Sequence, residues 1–138
     1  IATVAPSLFS ANADGQGVGA MVVVRIKADG SQVFESAVRF DPAQNKFVAA
    51  PIDLGAANEQ VVLLMFGTGL RNRSALSAVN VSIGGVNAQV DYAGPQPGFA
   101  GLDQINVRLP RSLSGRGEVD VVVRVDEKTA NNIRAFIK

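Results

Sequence analysis

Apolar and polar residues alternate with a period of two in short runs along most of the chain, and Gly, Pro, Asn and Asp punctuate the runs. The pattern is clearest around Gly84-Gly85. Val79, Val81 and Ile83 alternate with Asn80 and Ser82 before it, and Val86, Ala88, Val90 and Tyr92 alternate with Asn87, Gln89 and Asp91 after it. A Gly-Gly pair supplies the positive φ angles of a two-residue turn, so the segment predicts a β-hairpin. A second hairpin is expected where Val22, Val24 and Ile26 face inward against Arg25 and Lys27, Asp29-Gly30 forms a type I′ turn, and Phe34, Val38 and Phe40 return against Glu35 and Arg39. Asp41-Pro42-Ala43-Gln44-Asn45 suits a type I turn leading into Phe47 and Val48, and Pro51 puts that strand at a sheet edge.

Val61 to Phe66 is apolar without interruption and ends at Gly67-Thr68-Gly69, as a strand covered on both faces would be; a short buried helix is the alternative. Ile105, Val107 and Leu109 alternate with Asn106 and Arg108. Val119, Val121, Val123 and Val125 alternate with Asp120, Arg124 and Asp126, and a final strand runs near Ile133 to Ile137. About nine strands and only a turn or two of helix around Ser74 to Ala78 indicate a sandwich or barrel. Two packed antiparallel sheets would bury Val22, Val24, Ile26, Val81, Ile83, Val90, Ile105, Val107, Val121 and Val123. With 138 residues, no linker-like composition shift and no internal repeat, the chain is expected to form one domain over 1–138.

Composition narrows the function classes. Charged residues make up 18% and the net charge is +1, too little positive field for a phosphate backbone, so nucleic acid is not an expected partner. No apolar run approaches the roughly 20 residues of a membrane helix. There is no cysteine, which removes disulfides and thiolate metal sites. There is no histidine either, so the usual general base, the usual zinc ligand and every Ser-His arrangement are missing. The acidic residues sit at turns or on polar strand faces with no pair marked out for glycosidase chemistry. The expectation is therefore no catalytic residue, no cofactor-binding residue and no metal ligand.

Weaker motifs have plain structural readings. Gly15-Gln16-Gly17-Val18-Gly19 precedes a strand instead of following one, so it is a turn-forming loop and not a dinucleotide fingerprint. Asn12-Ala13-Asp14-Gly15 has oxygens spaced like the start of a calcium loop, but its twelfth position is Val23, and an Asx-stabilised turn is the stronger reading. Asn72-Arg73-Ser74 and Asn80-Val81-Ser82 match a glycosylation triplet that arises often by chance. Arg108, Arg111 and Arg116 lie near Asp103, Glu118 and Asp120 and read as a solvated rim.

The order and spacing of Gly67-Thr68-Gly69-Leu70, Val81-Ser82-Ile83-Gly84-Gly85-Val86-Asn87-Ala88, Gln104-Ile105-Asn106-Val107-Arg108-Leu109-Pro110 and Gly117 to Val125 carry a family likeness. Residues 60–138 resemble the immunoglobulin-like TIG (IPT) domain, and 1–59 add N-terminal extension strands. With Val4-Ala5-Pro6-Ser7-Leu8-Phe9-Ser10 and Asp14-Gly15-Gln16-Gly17, the whole chain is similar to an uncharacterised C-terminal domain of large secreted acidobacterial proteins. The resemblance implies an immunoglobulin-like antiparallel β-sandwich in an extracellular or cell-surface setting. It brings no functional residues across.

Two function classes follow: a non-catalytic structural or protein-interaction module, and a carbohydrate-binding module, with a hydrolase a distant third. The first suits the missing chemistry and low charge, with its own copies or neighbouring domains as protein partners. The second needs an exposed aromatic pair, for which Tyr92 and Phe99 are the candidates, since most phenylalanines read as core positions. The first thirteen residues carry no charged side chain. Ile1, Val4, Leu8 and Phe9 suit an edge-docking segment that lies along a sheet edge of its own sandwich or of the next subunit, and the latter would build a homo-oligomer.

Overall fold

The computed structural model describes residues 5–70 and 73–138. The apolar run at Val61 to Phe66 lies within β6 (Gln60–Thr68), and the first sheet is assembled around it. β2 (Met21–Ile26) pairs with one side of β6, from Met21 opposite Met65 to Ile26 opposite Gln60. β10 (Asp103–Arg108) pairs with the other side, from Asp103 opposite Gly67 to Arg108 opposite Val62. Outside these stand β3 (Gln32–Ser36) on β2 and β9 (Val90–Pro95) on β10. The short β1 (Ser7–Leu8) continues the β2 side of β6 at Gly67 and Thr68.

The second sheet centres on β11 (Gly117–Val125), flanked on one side by β7 (Val79–Ile83) and then β8 (Val86–Ala88). On the other side lie β12 (Lys128–Thr129) and β13 (Ile133–Ile137). Val18 and Ile52 add parallel bridges to Arg134 and Ile137 on β13. β4 (Val38–Asp41) and β5 (Lys46–Ala49) form a separate hairpin, and the described residues contain only single 3₁₀ turns at Leu76–Ala78 and Arg111–Leu113.

The protein is all-β, and its two main antiparallel sheets share one core. Leu63, Met65, Ile105 and Val107 of the first sheet join Ile83, Val121, Val123, Ile133 and Ile137 of the second. Leu8 and Ile52, both from the stretch before β6, belong to the same cluster.

Local chemistry explains the turns. Gly84 and Gly85 both have positive φ (57° and 81°), so the expected hairpin forms with Ile83 opposite Val86. The run that follows does not remain one strand, since β8 ends at Ala88 and β9 crosses to the first sheet. The Asp29-Gly30 turn also differs from expectation. Only Gly30 has positive φ (85°), Gly30 N–H donates to Lys27 O and Lys27 N–H to Ser31 O, giving a three-residue loop instead of a type I′ turn. The Asp29 carboxyl is held below its ordinary range by the Ser31 hydroxyl and then the Ser31 N–H.

β2 is inverted relative to the alternation reading. Met21, Val23 and Arg25 take the core side, with Met21 and Val23 in the core cluster, whereas Val22, Val24 and Ile26 point to the opposite face. The inversion is open to β2 because Met21 to Val24 is apolar on both faces, and because Arg25 is neutralised where it enters. Its guanidinium binds Glu35 (2.9 Å) and Glu59 (3.2 Å) and donates to the Asp53 carbonyl, leaving the residue 8% exposed. Val81, Ile83, Ile105, Val107, Val121 and Val123 are buried as expected, and Val90 packs partly buried against the core.

The Arg25 cluster sets a pH dependence. The Arg25 hydrogen bond holds the Glu35 carboxyl below its ordinary value of 4.5. A depressed folded pKa contributes stability above the unfolded pKa and loses it as pH falls through the folded one. Urea unfolding across the acid range below about pH 4.5 is expected to show a steeper loss of stability in the native chain than in Glu35→Gln. Superimposable acid limbs would contradict this role.

Candidate functional site

Side chains directly opposite one another in antiparallel strands share a face, so the registers define the outer side of the first sheet. One row across the sheet runs Phe34, Val24, Val62, Arg108; the next runs Ser36, Val22, Leu64, Asn106, Tyr92. Ile26 lies beside Gln32 and Gln60, and Phe66 beside Gln104. Phe9 N–H donates to Phe66 O at 2.9 Å, which brings Phe9 alongside this row. Val24 and Val62 are 7% and 8% exposed, yet neither belongs to the core cluster. Val22, Ile26, Leu64 and Phe66 on the same face are half-buried.

This corrects the expectation for Val61 to Phe66. The run is covered by the second sheet on the side of Val61, Leu63 and Met65, while buried Val62 and half-buried Leu64 and Phe66 turn to the outer side of the first sheet, outside the core cluster. A shallow depression there is bordered by Val24, Ile26, Gln32, Phe34, Val62, Leu64, Asp91 and Asn106. Its polar rim is electrically balanced. Arg108 Nε binds Asp91 at 2.8 Å, and Gln104 Nε2 donates to Asn106 at 2.7 Å.

The aromatic residues depart from expectation in the same direction. Phe34 is 66% exposed and Phe99 67%; Phe9, Phe40, Phe47, Phe136 and Tyr92 are also exposed, and Phe66 is half-buried. The core is built of Val, Leu, Ile, Met and Ala, and no phenylalanine belongs to it. Tyr92 stands on β9 opposite Asn106 with its hydroxyl donating to the Pro95 carbonyl, and Phe99 lies in the turn between β9 and β10.

Of the N-terminal candidates, Ile1 and Val4 lie outside the described residues. Leu8 is a core residue at 2% exposure, whereas Phe9 is exposed. The Ser7–Leu8 strand docks on its own sandwich. It fits because Gly67 has no side chain: a Cβ there would overlap the Ser7 carbonyl oxygen. Asn131 fixes it further, accepting from Leu8 N–H (2.7 Å) and donating to Leu8 O (2.9 Å).

Several of the remaining motif side chains hold local structure. Asn12 spends both ends of its amide on the Phe47 backbone, at 2.9 and 2.8 Å. Asp14 accepts from Gln16 N–H and the Ser10 hydroxyl, which lower its pKa in that order. Asn80 is exposed on β7, and Asn72 lies outside the described residues. Arg111 donates to the carbonyls of Leu54, Gly55, Ala56 and Glu59, and Arg116 donates to Gly84 O. Carboxylates are similarly engaged. Arg134 holds Glu118 (2.6 Å) and Asp120 (3.1 Å), Asp126 accepts from Ser74, and Asp103 accepts from Leu70 N–H. Among the described residues no three His, Cys, Asp or Glu side chains gather to hold a metal.

No family model, curated protein or solved structure matches the chain.

Adjacent leucines of β6 test the assignment of faces. Leu63→Ala is expected to cost about 2–5 kcal/mol, as core leucine truncations do, and Leu64→Ala less than half of that. Equal losses in urea unfolding would contradict the open face.

Proposed function

We propose that the chain is a non-catalytic structural or protein-interaction module, and that its working interface is the outer face of the first sheet. The observation carrying this reading is the apolar stripe of Val22, Val24, Ile26, Val62, Leu64 and Phe66 on the outer side of the first sheet, outside the core cluster and bordered by the exposed rings of Phe9, Phe34 and Tyr92. β2 and β6 at about 4.8 Å spacing and some six residues of rise give an apolar stripe on the order of 200 Å². With the exposed rings of Phe9, Phe34 and Tyr92 at its border it approaches the size of apolar patches that mark interaction sites, and is about a quarter of one partner's share in a standard interface. Its neutral rim suits an apolar protein surface better than a charged polymer.

The topology supports an immunoglobulin-like form. The order β9-β10-β6 faces β8-β7-β11-β13, and Ile52 runs parallel to β13. This matches the division of strands in such sandwiches. An extracellular or cell-surface setting rests on the resemblance to TIG domains and to the secreted acidobacterial C-terminal domain. The commitment of carboxylates to backbone N–H groups, hydroxyls and ion pairs, in a chain without histidine, favours a role without chemistry.

Hydroxyl-radical footprinting of the protein in its native setting and of the purified chain tests this reading. Phe9, Phe66 and Tyr92 are expected to be protected in the native setting relative to the purified chain. Equal labelling of all three would contradict it.

A carbohydrate-binding role is the second reading, favoured by one specific observation. The rings of Phe40 and Phe47 meet edge to face at 5.4 Å on the β4–β5 hairpin. Phe47 borders an open groove lined with Asn12, Gln16, Gln44, Asn45 and Arg134, and amides beside an aromatic ring are the chemistry of sugar recognition. Titration with neutral and acidic oligosaccharides, followed by amide NMR shifts, decides it. Saturable shifts confined to Gln44–Val48 that vanish in Phe47→Ala would favour this reading, and no shifts would remove it.

A further inference from the structure

We propose that β3 is a self-pairing edge, and that two copies of the chain join through it into one continuous sheet with Phe34 at the twofold axis. The proposal rests on the protein-interaction reading and names a second copy as the partner.

β3 ends the first sheet and, among the described residues, pairs on one side alone, with β2. The bonds Lys27 N–H to Ser31 O and Ala37 N–H to Met21 O set the phase of that pairing. Val33 and Glu35 bond inward to β2, so the backbone N–H and C=O groups of Gln32, Phe34 and Ser36 point away from the sheet. The strand stops cleanly at Ala37, whose carbonyl accepts from Ala50 N–H as the chain turns off towards the β4–β5 hairpin.

Edge strands ordinarily carry a device against pairing with another chain: a lysine, a proline, a bulge or very short length. The other edges here have one. β9 ends in Pro95 and has a register shift where it meets β10, β8 has three residues, and the far side of β13 is occupied by Val18 and Ile52. In the separate hairpin, β4 carries Arg39 and β5 carries Lys46, with Phe47 already bonded to Asn12. β3 has none of these devices. Its one charged residue, Glu35, is spent on Arg25 at 2.9 Å.

The strand is also complementary to itself. In an antiparallel pairing centred on Phe34, the two Phe34 residues exchange both backbone hydrogen bonds, and each Gln32 pairs with Ser36 of the other copy. No like charges oppose one another in that register, because Glu35 falls opposite Val33. The two Phe34 rings, each 66% exposed in one chain, meet across the seam on the outer face. Two apolar stripes of on the order of 200 Å² then become one of about 400 Å², about half of one partner's share in a standard interface. The pairing therefore extends the proposed interface instead of covering it.

Sedimentation equilibrium of the purified chain, with variants, tests the proposal. The native chain is expected at twice its 14.4 kDa mass. Phe34→Lys, which sets two ammonium groups opposite each other, is expected to weaken the dimer by at least about tenfold. Because Phe34 is exposed, that variant should keep the native circular dichroism, and its unfolding midpoint should match that of the native chain diluted until it is monomeric. The chain has no cysteine, so Phe34→Cys carries a single thiol; mild oxidation should link two chains through it, whereas Ser36→Cys, displaced along the seam, should stay unlinked. A native chain that is monomeric up to about 1 mM, a Phe34→Lys dimer of undiminished affinity, or equal cross-linking of both cysteine variants would each overturn it. Footprint protection in the native setting, together with a monomeric purified chain, would leave the interaction reading standing with a different partner.

Discussion

Everything in this molecule depends on β6 being apolar at every position from Val61 to Phe66 while the sandwich has only one inside. A pleated strand presents alternate residues to opposite faces, so Val61, Leu63 and Met65 can enter the core only if Val62, Leu64 and Phe66 leave it. Pairing with β2 and β10 then fixes a second apolar row on each neighbour or meets a polar one. β2 supplies Val22, Val24 and Ile26, whereas β10 supplies Gln104, Asn106 and Arg108. The outer face is thus apolar towards β3 and polar towards β9, with Tyr92 standing on the polar side.

The second constraint is the placement of Arg25. It follows Val23 on the core side of β2, where an unpaired guanidinium would carry a large desolvation penalty. Glu35 from β3, Glu59 from the approach to β6 and the carbonyl of Asp53 converge on it, and Arg111 binds the carbonyls of the same 54–59 segment. Two arginines thereby organise the loop that leads into β6, at the end of the sheet opposite β1.

Local signals in the sequence were legible and distant ones were not. The Gly84-Gly85 hairpin follows from two adjacent residues that tolerate positive φ, and the alternation of β10, β11 and β13 sorts their faces because polar residues occupy every outward position but Val122 and Phe136. β2 offers no such contrast. Its phase is decided by Glu35 and Glu59, ten and thirty-four residues from Arg25, a distance no window of alternation spans. The phenylalanines misled for a related reason: Phe34 and Phe40 hold apolar phase in their strands, but an apolar phase identifies a face without saying whether another layer covers it. The Gln89 break, where the strand crosses between sheets, likewise depends on the partner strand and not on the run itself. Among the candidate contacts, Phe9 and Tyr92 fall at the rim of the open face, Leu8 belongs to the core, and Phe99 lies apart in a turn.

The claim that one face of the first sheet is apolar and open is measured most directly by solvent paramagnetic relaxation of methyl resonances in the purified chain. The account predicts strong enhancement at Val22, Ile26 and Leu64, with Val23, Leu63 and Met65 protected. Comparable protection of both sets would mean that the outer face is covered within the chain itself, and would contradict the account.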